Sequence, residues 1–383
     1  MTFNLLWRDE QRAFIVADTA ESGRSDGRFP LSSFNEVSSA GDGHPQEAAM
    51  KMVQVGTHGL AAASGDGTGA RAMMDALYRL PPAALARGVA FALEEAARQV
   101  RTSSGAHVDA VTWVCAEWRD GALHTFAWQG AVRQDTIGCV TVIAGSPDEE
   151  IADGFAYITN RTCVELAEQR RGAAIVPADA DLSIAVALVQ AIVSAEGLMA
   201  YRGMGGAIVG GSVSAQGVRW QNDTVYLVVT EDFVEAASHA PLTALHLGAV
   251  SSGVVALAVR EGCFFLRSSF TNGAKVLVPG NEKCRHPGWK RRWEEPLREP
   301  RFWLSAPVIG VINPVQRAVC LGFGDFSSRN ELVTLELDVG TGELVAVIGN
   351  RLRQRLQETS KPGEPWRVAI EATAPYRLAG SEG

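Results

Sequence analysis

Thr2, Asp18 and Lys51 are the residues from which this sequence could build a reaction. Thr2 follows the initiator Met1 directly, and Thr is small enough for Met1 to be removed. Removal would put a hydroxyl nucleophile and an α-amino base on one residue. The ordinary pKa of such an amine, about 8, suits it to accept the hydroxyl proton near neutrality. Asp18 closes a short apolar run, AFIVAD, and its carboxylate could hold an ammonium group in place. Lys51 opens another run, KMVQV. A buried ammonium there would lower the hydroxyl pKa and could also exchange protons, which Arg cannot do at working pH. The choice of Lys is informative because the chain prefers Arg. Of its 35 basic residues only five are lysines, and Lys51 is the only one before Lys275. Each residue also has a plain use, as a common second residue or as a polar strand end.

Two further positions could complete such a site. Gly65, in ASGDGTG, follows a strand and opens a helix, so its N–H could stabilise an oxyanion. Glycine is common there for backbone reasons too. Ser146, in AGS after an apolar strand, could hold the N-terminal amine or simply form a turn before Pro147. Other chemistry is poorly supported. The seven histidines are scattered without HExxH spacing, and none of the six cysteines forms a CxxC, so we expect no metal and no cofactor. GMGGAIVGG at 203–211 leads into a strand rather than out of one into a helix, so it does not read as a phosphate loop.

These residues must be positioned by a sizeable fold. At 383 residues the chain is long enough for two or three domains. A net charge of −8 makes nucleic acid an unfavoured partner. The segment KCRHPGWKRRWEEPLREPRFW is rich in Arg and Trp, but its glutamates dilute it, and it reads as a partner-facing loop. No uncharged run of about 18 apolar residues suggests a membrane span. Scattered thiols and the absence of a leader pattern point to a cytoplasmic setting.

Alternating apolar runs predict a hairpin over 3–8 and 12–18, a long polar loop over 19–46, and a second hairpin through KMVQV and LAAAS. Helices follow after SGDGTG and after Pro81–Pro82. Strands are expected at 110–118, 122–128 and 137–145, helices at 148–170 and 181–200, and two closing strands, GGAIVGGSVS and TVYLVV. This order fits an α+β fold with two sheets between helices. From about residue 240 the texture becomes strand and Gly turn, giving a second, mainly β module over 240–383.

TFNLLWRDEQRAFIVADT and KMVQVGTHGLAAASGDGTGARAMMDAL together resemble the opening of proteasome-type subunits, including the HslUV peptidase and Anbu-type beta subunits. The resemblance covers about residues 2–230. It implies a four-layer αββα sandwich of the N-terminal-nucleophile (Ntn) hydrolase type over 1–235, and a threonine peptidase acting on peptide or amide substrates. By that resemblance Thr2 is the nucleophile, Asp18 and Lys51 support it, Gly65 is the oxyanion donor and Ser146 a further support. A homo-oligomer is implied as well, with an unfoldase or other protein partner. The sequence departs from the pattern at Tyr201 and Met204, where the family carries Asp and Ser. A non-catalytic assembly subunit and a small-molecule amidase therefore stand as alternatives.

Overall fold

The computed structural model describes residues 3–22, 33–34, 45–103, 107–136, 142–145, 180–195, 204–229, 245–247, 252–271, 273–281, 306–314, 318–323, 333–337, 344–349, 354 and 367–372. The chain begins with strands β1 (Phe3–Arg8), β2 (Ala13–Asp18), β3 (Ala20–Ser22), β4 (Pro45–Glu47), β5 (Met52–Val55) and β6 (Gly59–Gly65). Helices α1 (Gly67–Arg79), α2 (Pro82–Leu85) and α3 (Val89–Ser103) follow. Next come β7 (Val111–Arg119), β8 (Ala122–Gln129), β9 (Val132–Asp135), β10 (Val142–Gly145), helix α4 (Ala180–Ala195), β11 (Ile208–Ser214), β12 (Gly217–Trp220) and β13 (Thr224–Val229). The remainder is β14 (Leu245–Leu247), β15 (Ser252–Arg260), β16 (Cys263–Ser268), β17 (Gly273–Leu277), β18 (Val308–Asn313), β19 (Ala318–Phe323), β20 (Val333–Leu337), β21 (Leu344–Ile348) and β22 (Arg367–Ala372). The fold is thus α+β and mostly strand.

Two five-stranded sheets face each other. The first runs β10-β1-β2-β11-β12, the second β5-β6-β7-β8-β9. Alternation decides which residues meet between them. Leu6, Ala13, Ile15 and Ala17 pack inward with Leu60, Ala62, Val114 and Ala116. The other face of the second sheet buries Ala61, Ala63 and Trp113 under Met73 and Leu77 of α1 and Leu93 and Ala97 of α3. The other face of the first sheet buries Phe3, Leu5 and Phe14 under Leu182, Val186 and Val189 of α4.

Local sequence explains the helix ends. Asp66 caps α1 by accepting the Gly69 N–H at 2.7 Å. Glu117, buried on β7, accepts the Val89 N–H at 2.7 Å and so caps α3 from a strand 28 residues on. Helix α4 is apolar nearly all round because it is covered twice. Its second face, Ile184, Ala187 and Ala191, belongs to the cluster that includes Tyr226, Val228, Ile312 and Leu321.

Those last residues lie on a seven-stranded sheet, β17-β16-β15-β13-β18-β19-β22. Here the structure corrects the sequence reading. TVYLVV was expected to close the first run of strands and helices. Instead β13 pairs antiparallel with β15 and parallel with β18, at the heart of the later sheet. The chain changes sheets between Trp220 and Thr224. A run apolar on both faces fits any central strand, so composition could not tell which sheet it joins. Most of the described residues beyond 240 are strand. The helix expected over 148–170 and the Arg- and Trp-rich segment lie outside the described residues.

Candidate functional site

Asp18 and Lys51 meet inside the protein. The β1–β2 hairpin turns on Asp9, whose Oδ1 accepts the N–H groups of Gln11 at 2.8 Å and Arg12 at 2.7 Å. That turn sets a register pairing Asn4 with Ala17, which puts Phe3 and Asp18 together at the open end. Phe3 N–H donates to Asp18 Oδ1 at 3.2 Å. Lys51 Nζ donates to the same oxygen at 2.7 Å and also to the Ala20 carbonyl. Gly205 N–H donates to Asp18 Oδ2 at 3.0 Å. Thr2, one peptide bond before Phe3, lies outside the described residues, as do Ser146 and Tyr201.

Asp18 is fully buried and Lys51 is 7% exposed. Burial pushes the Asp18 carboxyl above the usual carboxylate range, against the pull of Lys51, Gly205 and Phe3. Burial likewise pushes the Lys51 ammonium below its usual value, with Asp18 opposing. Both shifts bring the two proton affinities closer, which makes proton exchange at Lys51 easier than for a surface lysine. The pair also carries structure. Removing one partner of a buried ion pair costs about 3–5 kcal/mol, because the other charge is left behind.

Gly65 ends β6 on the surface, immediately before the Asp66 cap of α1. Its φ is +98°, and a β-carbon there would run into the Ala110 carbonyl. The backbone alone therefore demands glycine. Two residues on, Gly67 lies beside Glu21 of β3, which pairs with Arg71 of α1.

Other residues surround the pair, of which Asn4 was not anticipated. Gly205, which follows Met204 in the stretch that departs from the family pattern, supplies a donor to Asp18. Its carbonyl accepts the Ala20 N–H at 3.0 Å, and Thr19 Oγ1 donates to the Ala207 carbonyl at 2.8 Å, tying β3 to the same turn. Met204 is fully buried in the cluster with Phe3 and Ile208. Asn4 is fully buried as well, and neither its Oδ1 nor its Nδ2 has a hydrogen-bond partner among the described residues. A cavity of about 490 Å³ lies elsewhere, around Arg12, Phe14, Arg219 and Trp220, without Asp18 or Lys51.

Among the described residues no group of three or more His, Cys, Asp or Glu side chains could hold a metal ion. Cys115, Cys263 and Cys320 are buried. No described helix is long and apolar enough to cross a membrane.

No family model matches the chain, and no curated protein matches it. Among solved structures, the Anbu (Gly-1) mutant from Hyphomicrobium sp. strain MC1 is similar over 58% of this chain and 85% of its own, at 11% identity and a TM-score of 0.37. That similarity is distant and weak.

Proposed function

We propose that the chain is an amide-bond hydrolase, a threonine-type peptidase whose nucleophile is Thr2 after removal of Met1. One observation carries the reading: the buried Lys51–Asp18 pair lies against the backbone N–H of Phe3, the residue bonded directly to Thr2. In this reading the two facing five-stranded sheets and the helices on them form the Ntn sandwich, and the later sheet belongs to a further, mainly β module.

The chemistry follows from the residues. Thr2 Oγ attacks the substrate carbonyl carbon while its proton passes to the α-amine of Thr2. Lys51, held by Asp18 and the Ala20 carbonyl, lowers the hydroxyl pKa. The oxyanion takes a hydrogen bond from the Gly65 N–H. The C–N bond then breaks, and the leaving amine takes the proton from the α-ammonium. Water, deprotonated by the same amine, cleaves the Thr2 ester, releasing the acid and restoring the hydroxyl. Ser146 would help hold the amine. Homo-oligomerisation, an unfoldase or other protein partner, and a cytoplasmic setting belong to the same proposal.

The test is intact mass before and after a β-lactone that acylates N-terminal threonine. We expect Met1 absent and one adduct mapped to Thr2, abolished in Thr2→Ala. Retained Met1 without an adduct would reject the mechanism. It would favour the second reading, a non-catalytic assembly subunit, to which the buried thioether of Met204 already points, since a hydroxyl is expected at that position. An adduct without cleavage of any peptide, but with turnover of small acyl amides, would restrict the substrate to small amides.

A further inference from the structure

The long polar loop of residues 19–46 does not end in solvent. Its residues Ser33 and Phe34 are buried, and β4, at its close, pairs with β3 so that Glu47 lies opposite Ala20. The Glu47 carboxylate is wholly enclosed. Its Oε1 accepts the Ser33 N–H at 3.1 Å, and its Oε2 accepts the Ser33 hydroxyl at 2.5 Å. The charge on Glu47 is met by Lys275 Nζ at 2.8 Å, contributed by β17 of the later sheet. A second link lies beside it: Ser268 Oγ of β16 donates to the Ser33 carbonyl at 2.6 Å. The Phe34 ring rests on Tyr226, 5.7 Å between centroids.

Glu47 in turn touches both supports of the Asp18–Lys51 pair. Through the β3–β4 ladder it backs Ala20, whose carbonyl takes Lys51 Nζ. It also packs against the turn that gives Asp18 its Gly205 donor. A β-carbon on Gly206 would meet Glu47 Cγ at 2.5 Å and Thr19 Oγ1 at 3.1 Å, so the turn can approach only because Gly206 has no side chain. The charged groups around this junction are Glu47 and Lys275 on one side, Asp18 and Lys51 behind, and Glu21 with Arg71 at the α1 end.

We propose that Lys275 and Ser268 of the later module are positioning residues for the Asp18–Lys51 site, acting through the enclosed carboxylate of Glu47 and the β3–β4 hairpin. The module is then part of the working site rather than an appendage. The inference rests on the reading that this pair is the working centre, but its test does not require turnover.

Only five lysines are present, so lysine labelled at its side-chain carbon and nitrogen gives a readable NMR titration of the full chain, with Lys51 assigned through Lys51→Arg. The variants are Lys275→Gln and Ser268→Ala, the second of which leaves every charge in place. Loosening the hairpin admits water to Lys51, so we expect its midpoint to rise by about 0.5 pH unit or more towards the ordinary value in both folded variants. Lys275→Arg should restore most of the shift. An unchanged Lys51 midpoint in Ser268→Ala overturns the proposal. A rise confined to Lys275→Gln overturns it too, since loss of a nearby charge would suffice. If Lys275→Gln does not fold, Ser268→Ala decides alone. Failure of the lactone to label Thr2 would reject the hydrolase reading and leave this result standing.

Discussion

Asn4 sits next to Phe3 at the proposed working end, fully enclosed, with two amide atoms that no described residue satisfies. A buried polar group without a partner costs roughly 1–3 kcal/mol, and an apolar replacement of similar shape relieves that cost. Asn4→Leu should therefore raise the urea midpoint by an amount equivalent to about 1 kcal/mol. A lower midpoint would mean that Asn4 is already satisfied and contributes to stability. At this scale much was visible in the sequence. Asp18 and Lys51 stand at strand ends, and a lone lysine in an Arg-rich chain is an unusual choice. Asn4 was not visible as a participant, nor was the hydrogen bond from Gly205 to Asp18. Their significance depends on what surrounds them, Asn4 inside the two-sheet interior and Gly205 on a turn 187 residues from the carboxylate it holds.

Helix α4 lies on β11 so closely that Gly210 is a packing requirement. A β-carbon there would collide with Val186 Cγ2 and approach Leu182 Cδ1 at 3.0 Å. Gly210→Ala should destabilise the protein by about 1–3 kcal/mol, the usual cost of overpacking. Adding Val186→Ala should recover part of that loss, so the double variant should cost less than the sum of the two. Additive losses in chemical denaturation would show that the helix shifts freely instead. The helix itself was legible, as a mostly apolar stretch without charge after Asp181, and so were the hairpins with polar turns. Strand β12 was not, because GVRW is short and mixed in character. The β3–β4 hairpin was hidden too: its sequence is polar, and the groups that bury it come from Ser268 and Lys275, more than 200 residues away.

Across the whole molecule, two buried acids report on both halves. Burial, with Glu117 adding to it, raises the Cys115 thiol well above its ordinary value; burial alone raises the Tyr226 phenol. Each folded pKa exceeds the unfolded one. The neutral forms therefore favour the folded state below the unfolded values, and that advantage is lost as pH climbs through the folded ones. Melting temperature should fall once pH passes about 9, and more steeply above about 10. Tyr226→Phe should flatten the second part of that fall, and an unaltered profile would remove Tyr226 from the explanation.

The central place of β13 also has a consequence for synthesis. Thr224–Val229 leaves the ribosome with the first half, yet its parallel partner β18 comes about 80 residues later. At about 5–20 residues per second, that is roughly 4–16 s in which one edge of a strand that ends up wholly buried waits unpaired. The outer face of α4 waits with it, since the strands that cover it belong to the same later sheet. The nascent chain thus carries a sticky ribbon and a greasy helix side by side until its last third arrives, an interval that a holding chaperone would be suited to cover.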